Sequence, residues 1–232
     1  MQTAHICPLL DLAAYPGRRS PAYSRVDKKA GIIGNGFLEA RIGFDKVQHE
    51  RGVIENKMTG DSFAIDVLPL RFQFAGGVTS GKHACFSRME ARGSDDVASL
   101  TAVFDCDWFE LEVTYIARRG YHYIQKVFVL RNVRREAHLH HIVPCSQSVP
   151  GSAELLVHDG GMYFPIVFVR GKKGGLFYCG DFPGYWVSVS DDRFEFSYHP
   201  GEEVRPGRSL QIVTLRIGVT ELTGRVRENR YH

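Results

Sequence analysis

Long apolar runs are missing from this 232-residue chain, and none reaches the roughly 18 residues that a membrane-spanning helix needs. An excess of one charge is missing too. The 29 Lys and Arg stand against 26 Asp and Glu, a net charge of +3, so the sequence expects neither a nucleic-acid nor a membrane partner. Cysteine is sparse and odd in number, with Cys7, Cys85, Cys106, Cys145 and Cys179 and no C-x-x-C pair, which argues against a disulfide framework or a zinc ribbon. No G-x-S-x-G, no H-E-x-x-H and no cysteine in a recognisable reactive setting occurs. No Asn is followed by x-Ser or x-Thr. The stretch from Thr3 to Ala14 lacks a basic leader and is interrupted by Pro8 and Asp11, so it reads as mature chain and the expected compartment is the cytoplasm.

What is present is material for a core. Hydrophobic residues make up 44% and charged ones 24%, which excludes disorder, and the 15 Phe and 10 Tyr suit pleated sheets and sugar-facing surfaces alike. A period of two dominates. Leu38, Ala40, Ile42 and Phe44 alternate with polar neighbours. So do Leu68, Leu70, Phe72 and Phe74, and again Phe109, Leu111, Val113 and Tyr115. Arg118-Arg119-Gly120 can turn the chain into Tyr123–Leu130, a run apolar on both faces, which predicts a hairpin whose second strand is buried. Further strands are expected at 97–104, 138–143, 166–169, 176–179, 185–189, 194–198 and 210–217, separated by Gly, Pro and Asp turns that include Gly174-Gly175. The expected fold class is all-β, one large antiparallel β-sandwich. Its expected organisation is an N-terminal extension over 1–30, the sandwich over 31–224, and the start of a linker over 225–232.

Chemistry is thinner. Gly31-Ile-Ile-Gly34-Asn-Gly36 resembles a phosphate loop, but its glycines lead into a strand rather than a helix, so a tight turn is expected. Alternation places His138 and His140 on one strand face and His141 on the other. Two ligands do not make a metal site, and neither metal nor cofactor is expected. The acid pairs Asp95-Asp96, Asp191-Asp192 and Glu202-Glu203 fit solvated turns, so no catalytic residue is assigned. The most suggestive segment is Cys179-Gly-Asp181-Phe182-Pro183-Gly184-Tyr185-Trp186. There aromatic rings and a carboxylate sit among turn formers, the mixture that stacks on a sugar while accepting bonds from its hydroxyls. Asp181, Phe182, Tyr185 and Trp186 are the carbohydrate-contact candidates, against the alternative that Tyr185 or Trp186 packs in the core.

The hairpin Trp108–Asn132 resembles that of the N-terminal β-sandwich in α-galactosidase-like glycoside hydrolases. The segment Gly174–Gly224, with Pro200-Gly201 and Pro206-Gly207 around its last strands, is similar to the closing segment of that domain. Gly34-Asn-Gly36-Phe37-Leu38-Glu39 and Asn56-Lys57-Met58-Thr59-Gly60 resemble it as well. The resemblance is a pattern of strands over most of residues 31–224, and it implies the supersandwich shared with galactose mutarotase. It further implies a non-catalytic domain that supports a catalytic (β/α)8 barrel of the same longer chain and contributes to carbohydrate binding, since the family's catalytic carboxylates lie on the barrel. Two alternatives stay open: a standalone aldose epimerase-like enzyme with its acid from His138, His140 or His199, and a carbohydrate-binding module. A homo-oligomer is left open too.

Overall fold

A computed structural model describes residues 16–27, 30–46, 48–75, 77–80, 84–149, 155–158, 165–181, 184–190 and 192–221. After a single 3-10 turn at Pro16–Arg19, the chain runs through β1 (Tyr23–Asp27), β2 (Ala30–Gly34), β3 (Leu38–Phe44), β4 (Glu50–Asn56), β5 (Asp61–Val67), β6 (Arg71–Phe74) and β7 (Gly77–Ser80). It crosses to a second sheet for β8 (Cys85–Gly93), β9 (Val97–Asp105), β10 (Glu110–Arg118) and β11 (Tyr123–Arg131). It then returns for β12 (Ala137–Ser148), crosses again for β13 (Leu155–His158), β14 (Ile166–Arg170) and β15 (Gly174–Gly180), returns for β16 (Tyr185–Ser190), β17 (Arg193–Tyr198) and β18 (Glu202–Val204), and ends in the second sheet with β19 (Leu210–Glu221).

The result is an eleven-stranded sheet on the path β1-β2-β3-β4-β5-β12-β17-β16 facing an eight-stranded sheet in the order β13-β14-β15-β19-β11-β10-β9-β8. Every recorded pairing is antiparallel, as in β10 on β11, where Ala117 lies opposite Ile124. The all-β sandwich that the alternation predicts is therefore the fold. Strand β12 organises the first sheet. Its start is flanked by β6 and β18, its end by β5 and β17.

Several expectations change in detail. The alternation from Leu68 to Phe74 is continuous in sequence, but the strand begins only at Arg71, because Pro69 has no N–H for a ladder and marks the break between β5 and β6. Gly174 and Gly175 belong to β15 rather than to a turn. The glycine-rich stretch is not only a turn either: Gly31 and Gly34 lie in β2. A Cβ at Gly31 would come within 2.3 Å of Leu100 on the opposing sheet, so this glycine serves sheet-to-sheet approach rather than an anion. The turn itself is Asn35, whose Oδ1 accepts from the Phe37 N–H at 2.8 Å and whose Nδ2 donates to the carbonyls of Arg118 and Tyr121 at 2.8 and 2.7 Å. Buried Asn56 does the same elsewhere, donating to the Thr220 carbonyl at 3.0 Å. Each asparagine fastens a hairpin of one sheet to the other.

Strand β11 is buried on one face, with Ile124, Phe128 and Leu130 at 0% exposure, while its other face is half-buried. Of its two cations, Arg131 at the end is exposed and Lys126 points inward. Its ammonium donates to Glu50 Oε2 of β4 across the sandwich, with the two side chains only 3% and 4% exposed. Ile42, Ile54, Tyr115, Cys145 and Tyr178 close around the pair. Burial first, and the Glu50 charge second, push the Tyr115 phenol well above its ordinary range. Burial pushes the Cys145 thiol up to about 12, so it is inert as a nucleophile.

Removing one member of this pair strands the other charge without water. Lys126→Met alone, and Glu50→Gln alone, are each expected to lower unfolding free energy by about 3–5 kcal/mol, whereas Glu50→Leu combined with Lys126→Met recovers most of the loss. Urea unfolding of the three variants checks this, and a double variant as unstable as the singles would contradict it.

Candidate functional site

The outward residues of β6, β12, β16 and β17 build one polar patch on the eleven-stranded sheet. Strand β17 reads Arg-Phe-Glu-Phe-Ser-Tyr, so with Phe194 and Phe196 at 0% exposure, Glu195 points away from the core. In β6, Phe72 and Phe74 face inward and Arg71 faces out. Arg71 Nη2 donates to Glu195 Oε2 at 2.7 Å, and the Ser146 hydroxyl of β12 donates to Glu195 Oε1 at 2.7 Å. Arg193 braces the strand below, donating from Nη2 to Ser148 Oγ at 2.8 Å. The carboxylate is thus held at both oxygens yet stays 27% exposed.

Strict alternation puts His138 and His140 together and His141 on the other face. The first part holds, with the two rings 4.6 Å apart. The second is corrected by a β-bulge: β12 pairs Leu139 with Phe74 and then His141 with Gln73, spending two residues against one. The extra residue turns His141 outward beside His140 instead of into the core. His141 then stacks on His199 with ring centroids 4.5 Å apart and planes at 27°. Burial first, then His199 and Arg71, hold His141 below the usual imidazole range, while Glu195 acts in the opposite direction. A carboxylate, a guanidinium and a pair of imidazoles thus share one face. Among the described residues, no group of three or more His, Cys, Asp or Glu is placed to hold a metal ion.

Trp186 of β16 is 70% exposed. It pairs with Ser197, and Ser188 with Glu195, so Trp186 and Glu195 are diagonal neighbours on the same face, roughly 7–8 Å apart. Tyr185, one residue earlier, faces the other way. It is 7% exposed and donates its hydroxyl to the Thr214 carbonyl at 3.0 Å. Its ring sits in the core against Phe196, with centroids 6.0 Å apart. Tyr185 is therefore a packing residue, and the expectation of sugar contact is corrected for it. Asp181 follows β15 on the outer face of the eight-stranded sheet, where it pairs with Arg216. β15 belongs to the eight-stranded sheet and β16 to the eleven-stranded one, so Asp181 and Trp186 lie on opposite sides of the sandwich rather than in one site. Phe182 lies outside the described residues. The sequence reading missed Glu195 and Arg71. Their outward direction is readable from the flanking apolar residues, but their meeting depends on β12 lying between β6 and β17.

No protein-family model matches the chain, and no curated protein matches it. Solved structures do. The α-N-acetylgalactosaminidase NagBb from Bifidobacterium bifidum, in complex with Gal-NHAc-DNJ, is 12% identical with a TM-score of 0.56 over 88% of this chain and 37% of its own. The galactosidase domain of the α-galactosidase-sucrose kinase AgaSK is 8% identical with a TM-score of 0.56 over 86% of this chain and 42% of its own. The GH36 α-galactosidase AgaA from Geobacillus stearothermophilus is 9% identical with a TM-score of 0.53 over 80% of this chain and 40% of its own. At these identities the similarity is one of fold. The chain spans about two fifths of these proteins, and its all-β sandwich has the fold of one part of such glycoside hydrolase chains.

Proposed function

We propose that this chain is a non-catalytic β-sandwich domain of an α-galactosidase-like glycoside hydrolase, packing beside a catalytic barrel of the same longer polypeptide and contributing to carbohydrate binding through its Trp186 face. The fold similarity over about two fifths of such enzymes supports the first part. The observation that carries the second is the Trp186 ring, 70% exposed on a flat sheet face with an oriented carboxylate beside it. A ring of this kind stacks on the C–H face of a pyranose while Glu195 and Arg71 exchange hydrogen bonds with its hydroxyls.

A second reading is favoured by one observation: Glu195, His141 and His199 share that face. A carboxylate that takes the anomeric hydroxyl proton and an imidazole that supplies one to the ring oxygen are the pair an aldose epimerase-like reaction needs. Here the acid comes from His141 or His199. His138 and His140 lie further along the same strand.

Three outcomes are expected. Trp186→Ala changes stability by no more than about 0.5 kcal/mol yet removes binding of galactose and N-acetylgalactosamine measured by calorimetry, whereas Tyr185→Ala loses about 3 kcal/mol or more in urea unfolding. Absence of any binding by the unmodified protein counts against the Trp186 face. Polarimetry of freshly dissolved galactose shows no acceleration under the first reading, and acceleration that disappears in Glu195→Gln establishes the second. Finally, His141 titrates below the ordinary imidazole pKa of about 6.5 in an NMR titration, and lower still in Glu195→Gln. Because its folded pKa is depressed, the unfolded chain binds the extra proton first, so stability falls as pH drops below the unfolded value toward the folded one. A slope across that window that is shallower in His141→Gln than in the unmodified protein confirms the source, the remainder coming from His122, which burial also holds low.

A further inference from the structure

The other side of the sandwich carries an arrangement the Trp186 face does not explain. On the outer surface of the eight-stranded sheet, Phe168 of β14 pairs with Phe177 of β15, Phe177 with Gly218 of β19, and Gly218 with Tyr123 of β11. These four positions form one row perpendicular to the strands, spanning about 14 Å at the usual strand spacing. The rings do not stand upright. A Cβ at Gly218 would meet Phe177 Cζ at 2.2 Å, and one at Gly175 would meet Phe168 Cζ at 2.0 Å, so each phenylalanine lies across a glycine that leaves it room. The sheet thereby presents half-buried rings laid along its surface and ending at Tyr123.

The next row is polar. Arg216 pairs with Gln125, and its guanidinium carbon lies 5.1 Å from the centre of the Tyr123 ring. It forms an ion pair with Asp181, and Gln125 Nε2 donates to Asp181 Oδ2 at 3.4 Å. The Arg216 side chain is 43% exposed and that of Asp181 18%, with Asp181 Oδ1 and Arg216 Nε shut off from water, so the two fix one another while the rest of the guanidinium faces solvent. Rings laid over glycines cover strand backbone, and the Asp, Arg and Gln oriented beside them add donors and acceptors in fixed positions next to apolar ring faces.

We propose that this row is a binding site for a short linear oligosaccharide, whose successive sugar rings stack on Phe168, Phe177 and Tyr123 while Asp181, Gln125 and Arg216 exchange hydrogen bonds with their hydroxyls. The chemistry is the pairing of apolar C–H faces with rings and of hydroxyls with charged and amide groups. The polar row selects this occupant, because one sugar hydroxyl can donate to Asp181 and accept from Arg216 or Gln125 at the same time. The site lies across the sandwich from Trp186 and stands whether or not that face takes sugar.

The test is amide NMR of the full chain titrated with maltotriose and cellotriose, with glucose as the monomer control. At least one trisaccharide is expected to shift the amides of Tyr123, Gln125, Phe177 and Arg216 with a submillimolar Kd, and glucose to bind about tenfold or more weakly. Phe177→Ala is expected to weaken that trisaccharide by about tenfold or more, and Asp181→Asn, which keeps the shape of the site, to do the same if Phe177→Ala fails to fold. Three results would each overturn the site: no shift with either trisaccharide, shifts confined to β16 and β17, or a concentration-dependent dimer that covers these amides.

Discussion

The Lys126–Glu50 ion pair constrains the sandwich more than any other single interaction. It joins the middle of β11 to the start of β4 across the core, with both side chains almost wholly withdrawn from water. Two charges taken out of water are tolerated only when they meet in good geometry, so the pair specifies which part of one sheet faces which part of the other. Asn35 and Asn56 repeat that logic at the turns, because each side-chain NH2 donates to carbonyls of the opposite sheet.

With the sheets fixed relative to each other, their outer faces diverge in character. The eleven-stranded sheet gathers Arg71, Glu195, His141, His199 and Trp186, all on strands that border β12 or follow from it. The eight-stranded sheet shows a row of rings and a mixed polar row over β14, β15, β19 and β11. Both faces depend on local departures from regular strand geometry. On the first, a bulge in β12 brings His141 outward. On the second, glycines in β15 and β19 let rings lie down.

The loop between β15 and β16 illustrates how far local composition can be carried. Aromatics and a carboxylate close in sequence suggested a single contact site. In the fold, β15 and β16 belong to different sheets, so residues close in sequence reach different surfaces. Tyr185 packs in the core, Trp186 emerges on one outer face, and Asp181 is held on the other.

The sequence by itself determined the class of fold. A period of two in Leu38–Phe44, Phe109–Tyr115 and Phe194–Tyr198 dictates strands with one buried face, because alternate side chains of an extended chain must point to opposite sides. It also determined that Glu195 and Arg71 face outward, Glu195 lying between buried Phe194 and Phe196 and Arg71 between buried Leu70 and Phe72. It did not reveal β1, β4, β5 or β8, where charged and small residues dilute the alternation, nor that Lys126 in an otherwise apolar run points inward to a carboxylate 76 positions away in sequence. Only the tertiary structure decided which outward residues meet. Arg71 and Glu195 are 124 positions apart and touch because β12 brings β6 and β17 to its two sides, and a pairing order among strands follows from the packing of the whole core rather than from any segment's own pattern.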